Sequence, residues 1–182
     1  MDDRTVRRSR LRPAAALGAI AVLLLVTGEL FWWPSTDQPT EVDAVIMLGG
    51  GGDRLGRALD LIEGDVAPTL VVSSPLRPAL PYQPLGRFCE DPHDFELICF
   101  DPQPETTRGE SQYVARLAHQ RGWDEVAVVV STDQVTRARM LLDRCWDGTI
   151  RMVATSHDQP AAWRAIYEWG AMSRAMLTRR SC

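Results

Sequence analysis

The chain is 182 residues long with a formal net charge of −4, and its 20 basic residues are all arginine. The lack of lysine removes a P-loop lysine and a Schiff-base lysine, and the lack of asparagine removes any N-glycosylation acceptor. Residues 35–182 hold 15 arginines against 21 acids with no basic cluster, which argues against nucleic acid as a partner.

In chain order, residues 1–13 form a basic leader carrying Arg4, Arg7, Arg8, Arg10 and Arg12. Residues 14–33 follow, apolar except for Gly18, Thr27, Gly28 and Glu29, and long enough to span a bilayer. Trp32 and Trp33 at the far end suit an aromatic interface anchor, and the arginines before the span predict the N-terminus in the cytoplasm and the rest of the chain outside. A cleaved signal peptide also fits a charged start and an apolar run. No small-x-small cleavage site follows, so the uncleaved anchor is favoured. Residues 34–42 read as a linker and 43–182 as one domain of ordinary length.

Within that domain, strand-like runs near 43–48, 69–74, 95–100, 125–131 and 149–154 alternate with helical patterns near 53–64, 108–121, 134–146 and 160–177. The alternation predicts an α/β fold: a single doubly wound, Rossmann-like, mostly parallel five-stranded sheet with helices on both faces, preceded by one N-terminal transmembrane helix. Val128 to Val130 and Leu70 to Val72 are continuous apolar runs, as strands buried on both sides require. One connection is unusual: 75–94 carries prolines at 75, 78, 81, 84 and 92. It reads equally as a disulfide-restrained flap over the carboxyl edge and as an irregular crossover without a role. In the last helix, Trp163, Ile166, Tyr167, Gly170 and Leu177 share one face, which reads as core packing.

Cys89, Cys99, Cys145 and Cys182 allow three full pairings, and the sequence does not choose among them. A Cys89–Cys99 bridge would stabilise by about 3 kcal/mol through its short loop; Cys182, if bonded to Cys145, would tie the C-terminal end to the helix after the fourth strand. No Cys-x-x-Cys pair exists and His93, His119 and His157 are scattered, so no metal site is expected.

Ligands of open α/β sheets bind beyond the carboxyl ends of the strands. The residues predicted there are Gly49, Gly50, Gly51, Gly52, Asp53 and Arg54 after the first strand, and Ser73 and Ser74 after the second. Thr107, Arg108 and Glu110 follow the third, and Ser131, Thr132, Gln134 and Arg137 the fourth. Thr107 with Glu110 three residues on also reads as a capping box. The glycines do not fit Gly-x-Gly-x-x-Gly, because Arg54 or Leu55 stands at the third position, so a dinucleotide oxidoreductase is a poor fit. A serine nucleophile is disfavoured as well, since there is no Gly-x-Ser-x-Gly elbow.

Three motifs in order, Asp43-Ala-Val-Ile-Met-Leu-Gly-Gly50, Thr106-Thr-Arg-Gly-Glu-Ser111 and Val130-Ser-Thr-Asp-Gln-Val-Thr-Arg-Ala138, together resemble the YdcF/SanA/ElyC family, long classed as a domain of unknown function. The resemblance covers residues 43–155 and implies a doubly wound domain, often membrane-anchored, linked to envelope barrier function and to carrier-lipid or peptidoglycan metabolism. Two positions depart from the family pattern: Gln134 stands where a histidine is common, and Glu110 where an amide is.

These readings converge on an extracytoplasmic, membrane-anchored protein that takes a phosphate-containing small molecule or a lipid-linked head group. Arg54, Arg108 and Arg137 would grip phosphate oxygens, Gly49 to Gly52 would donate backbone N–H groups, and Ser131 and Thr132 would complete the cradle. Glu110 would be the general base, with Arg137 beside it as the second catalytic residue. The implied chemistry is hydrolysis or group transfer on a phosphate-containing envelope precursor; non-catalytic binding or regulation through the same pocket is the alternative.

Overall fold

The structure is a computed structural model that describes residues 3–74, 83–156, 161–178 and 181–182. The expected parallel sheet forms, in the order β3-β2-β1-β4-β5. Its strands are β1 (Ala44–Met47), β2 (Thr69–Ser73), β3 (Glu96–Phe100), β4 (Glu125–Ser131) and β5 (Thr149–Thr155). The central strand β1 pairs with β2 on one side, Val45 opposite Leu70, and with β4 on the other, Val45 opposite Ala127. The winding direction reverses between β1 and β4, which opens a crevice at their carboxyl ends.

Side chains alternate between the two faces, so each strand feeds two cores. Val45, Met47, Leu70, Val72 and Val129 pack under Ala58, Leu61 and Ile62 of α2 (Arg54–Glu63) and against Leu85 and Phe88 of α3 (Gln83–Glu90). Ala44, Ile46, Leu48, Val128 and Val130 pack on the opposite face under Val114 and Ala118 of α4 (Thr107–Arg121) and Ala138 and Leu142 of α5 (Val135–Asp143). Thus α3 occupies part of the proline-rich connection, where the prolines concealed a helical turn: Leu85, Phe88 and Cys89 lie on its inner side. Pro75, Pro78 and Pro81 of the anticipated flap lie outside the described residues.

Both disulfide questions are settled by proximity: Cys89 bonds Cys99, tying α3 to β3, and Cys145 bonds Cys182.

The N-terminal helix α1 (Asp3–Thr27) runs into a π-helical turn, Gly28–Trp32. Ala15–Trp32 is long and apolar enough to cross a membrane, with mean hydropathy 2.0. Its end is seated in the domain, because Phe31 is buried in a third cluster with Ala165 and Met172 of α6 (Ala161–Thr178). The segment after it is no slack tether. The Asp37 carboxylate accepts from the Met152 amide at 2.8 Å and pairs with Arg139 at 2.9 Å. Burial works against that charge, but the amide and the Arg139 guanidinium outweigh it and hold the Asp37 pKa below the usual carboxylate value.

The last helix departs from the sequence reading. Trp163, Ile166, Tyr167 and Leu177, expected in the core, are 61–71% exposed. The buried face of α6 consists instead of Ala165, Glu168, Met172 and Ala175, the small and polar side of the helix. Helical spacing alone could not tell which of the two faces turns inward.

Candidate functional site

At the carboxyl edge of the sheet a cavity of about 870 Å³ opens beside the switch point. Nine of the anticipated residues line it: Gly49, Gly50, Ser73, Ser74, Thr107, Arg108, Glu110, Gln134 and Arg137. Gly51, Gly52, Asp53, Arg54, Ser131 and Thr132 do not. Asp53 is a helix cap, its carboxylate accepting from the Gly56 amide at 3.0 Å. Thr132 donates its hydroxyl to the Thr155 carbonyl at 3.0 Å and ties β4 to β5.

Arg54, expected to bind phosphate, serves the glycine turn. It is 2% exposed and lies behind the cavity wall. Its guanidinium donates to the carbonyls of Leu48 (2.9 Å), Gly49 (2.6 Å) and Gly51 (2.9 Å). The remaining nitrogen donates to Ser131 Oγ at 3.0 Å and Gln134 Oε1 at 3.2 Å. Tight turns turn carbonyls inward that no strand satisfies, and this planar fork pairs them. Gly50 makes the approach possible: its φ is +142°, and a Cβ there would strike the Arg54 guanidinium.

Glu110 faces the turn from the other side. Its Oε1 accepts the Gly49 N–H at 2.6 Å, so the first amide of the supposed anion cradle is already occupied by a carboxyl of the chain itself. The cap of α4 is Thr106, whose hydroxyl accepts from Gly109 N at 3.3 Å; the anticipated capping box on Thr107 does not form, which leaves Glu110 free to turn inward. Glu110 is 5% exposed. Desolvation raises its pKa above the glutamate value of 4.5, and this outweighs the lowering influence of Ser73, the Gly49 amide and the charges of Arg54 and Arg137. Ser73 Oγ is close enough to contribute but falls short of hydrogen-bond geometry, so this fully buried hydroxyl has no hydrogen-bond partner among the described residues.

A stability consequence follows from the sign of that shift. A carboxyl whose folded pKa lies above its unfolded one binds more protons in the native state across that interval, so stability falls as pH rises from 4.5 through the raised value. Glu110→Gln keeps the acceptor for Gly49 and removes the titration. Denaturation curves across that pH range should show a shallower decline for the variant; identical slopes would show that Glu110 ionises without penalty.

Arg137 lines the cavity, yet most of its charge is answered from α6. It forms a bidentate pair with Glu168, Nε to Oε2 at 2.7 Å and Nη2 to Oε1 at 2.9 Å, while Nη1 donates to Thr107 Oγ1 at 2.7 Å. Burial disfavours the guanidinium charge, but Glu168 outweighs it and raises the Arg137 pKa. Arg108 donates from Nη2 to the Cys182 backbone oxygen at 2.6 Å, a contact the Cys145–Cys182 bond makes possible, and its buried Nε has no partner among the described residues.

No family model, curated protein or solved structure matches this chain. Its site therefore has to be read from its own geometry. The sequence reading missed the whole α6 wall of the cavity: Ile166, Tyr167, Gly170 and Arg174, with Glu168 behind them. One signal was available, since Glu168 is the single acid in a largely apolar helix, and a lone acid at such a place calls for a buried cation. Among the described residues no group of three or more His, Cys, Asp or Glu side chains converges as metal ligands would.

Proposed function

We propose that the chain is a membrane-anchored, extracytoplasmic YdcF-like protein that binds a phosphate-bearing ligand of cell-envelope metabolism in this cavity, with Glu110 as the group that exchanges a proton with it. The observation that carries the reading is a pair of buried donors at the cavity wall, Ser73 Oγ and Arg108 Nε, that have no hydrogen-bond partner among the described residues. Orphaned buried donors cost about 1–3 kcal/mol each and call for an acceptor, here one that also meets Arg108 and Arg137 at the cavity wall. The cavity's other wall, Met47, Leu85, Leu141, Ile166 and Tyr167, is apolar and suits a ligand with a hydrocarbon or ring attached. Two disulfides and a membrane-length N-terminal helix support the extracytoplasmic address.

Burial biases the Glu110 carboxyl toward its acid form, and proton donation to a phosphate oxygen is the role this opens to it in a hydrolase or transferase. Two observations favour the non-catalytic alternative: Arg137 is largely neutralised by Glu168, and no histidine stands at position 134.

The test is thermal unfolding of the full-length chain in nanodiscs with polyprenyl phosphate, the corresponding polyprenol, inorganic phosphate and nucleotides. Phosphate-bearing ligands should raise Tm, and Arg108→Ala should weaken them roughly tenfold to a hundredfold, the equivalent of a charge-assisted hydrogen bond of about 1.5–3 kcal/mol. If none of the phosphates shifts Tm, or Arg108→Ala binds as before, the ligand reading fails.

A further inference from the structure

Among the described residues, nothing covers the exposed face of α6. Trp163 (62% exposed), Ile166 (66%), Tyr167 (61%) and Leu177 (71%) recur at helical spacing with Gly170 and Arg174, and no acid lies among them. A continuous stripe of this size on an outermost helix calls for a partner.

Where the stripe sits follows from contacts at the end of the apolar span. Trp169 Nε1 donates to Thr27 Oγ1 at 3.0 Å, and the Trp169 ring meets Phe31 edge to face at 5.5 Å. Thr136 Oγ1 donates to the Leu30 carbonyl at 2.6 Å, joining α5 to the same turn. Thr27, Leu30 and Phe31 all belong to the last stretch of the span Ala15–Trp32, so α6 lies level with the point where that helix leaves hydrocarbon. The Asp37 clamp to Arg139 and Met152 prevents the domain from swinging away on a loose linker. Trp33, just past the span, is 72% exposed and adds an aromatic ring at the same level.

We propose that this stripe of α6 seats in the bilayer–water interface beside the N-terminal span, making the domain monotopic as well as anchored. The chemistry fits that surface: Trp and Tyr prefer the headgroup level, and Ile and Leu reach the acyl boundary. On the helical wheel the stripe lies between the side of α6 that meets the span, Trp169, and the side that lines the cavity, Ala171 and Ala175. Ile166, Tyr167, Gly170 and Arg174 belong to both stripe and cavity wall. The cavity therefore opens at membrane level, and its ligand class is an amphiphile whose headgroup enters while its chain stays in the leaflet. This ligand class rests on the binding reading above; the interfacial seat rests only on residues 14–33 being a membrane span.

The full-length chain tests the seat directly. The four cysteines are all in disulfides, so an added thiol labels selectively. A polarity-sensitive fluorophore is placed at Ile166→Cys, Leu177→Cys, Val22→Cys within the span, and Gln120→Cys on the exposed side of α4. The variants are reconstituted into phosphatidylethanolamine–phosphatidylglycerol vesicles with and without brominated lipids. Labels at 166 and 177 should be quenched comparably to the label at 22, more by bromines near the headgroup than by those near the chain end, while 120 stays unquenched. Quenching at 22 but not at 166 or 177 overturns the seat and leaves the anchor standing. Quenching nowhere overturns both. Label-to-label quenching between copies at 166 in unbrominated vesicles would assign the stripe to a second copy of the chain and overturn the lipid seat. A failure of phosphate binding leaves all these signals unchanged, so the two readings fall separately.

Discussion

Arg54→Ala is expected to cost about 3–5 kcal/mol of folding stability, a large share of what a domain of this size possesses. The loss is greater than that of one hydrogen bond because the truncation strands three carbonyls, those of Leu48, Gly49 and Gly51, at the end of a buried central strand. It also leaves Ser131 and Gln134 without the group that joins β4 to the turn. Arg54→Lys should recover little, since a compact ammonium cannot reach carbonyls on both sides of the turn as the planar fork does. Chemical denaturation monitored by far-UV circular dichroism checks both variants. A loss of only about 1 kcal/mol, that of a single ordinary hydrogen bond, would mean that the turn holds its shape without the arginine.

The second large effect is expected at the pair joining α5 to α6. Glu168 is fully buried, so Glu168→Ala leaves the Arg137 guanidinium inside the protein with Thr107 as its remaining close partner. Breaking such a pair costs about 3–5 kcal/mol, whereas replacing both members by apolar residues of similar size is often neutral. Arg137→Met with Glu168→Leu should therefore melt near the parent temperature, while Glu168→Ala alone melts far below it. The same double variant separates the pair's two roles: a folded protein that no longer responds to polyprenyl phosphate would show that Arg137 serves the ligand as well as the helix contact. If the single and the double variant lose equal stability, the pair is held by packing around it and not by its charges.

The cavity contrasts with what its residue types imply when taken one at a time. Arg54 is an arginine beside a glycine run, which reads as an anion grip, yet every contact described above is to a carbonyl, a hydroxyl or an amide oxygen of the chain. Glu110 reads as a cap or a general base, but its place in the fold is against the Gly49 amide. The glycine turn is thus held closed from two sides, by a cation on its carbonyls and a carboxyl on its first amide. Among the described residues, the donors left over at the wall belong to Ser73 and Arg108, and there the phosphate reading finds its support.

By itself the sequence determined the alternation of strands and helices, the two-sided burial of Val128 to Val130, the membrane-length apolar run and the polar character of the strand ends. Those properties are periodic or local, and each is written within a few neighbouring residues. Only the tertiary structure decided which cysteines meet, that Gln83–Glu90 is helical within a proline-rich crossover, and that Thr106 rather than Thr107 caps α4. It alone paired Arg137 with Glu168 across 31 residues and turned the apolar stripe of α6 outward beside the end of the N-terminal helix. The physical reason is common to these cases. A side chain's partner is chosen by whatever the fold brings within about 3 Å of it, and for a buried charge that choice determines whether it meets a ligand or the chain itself.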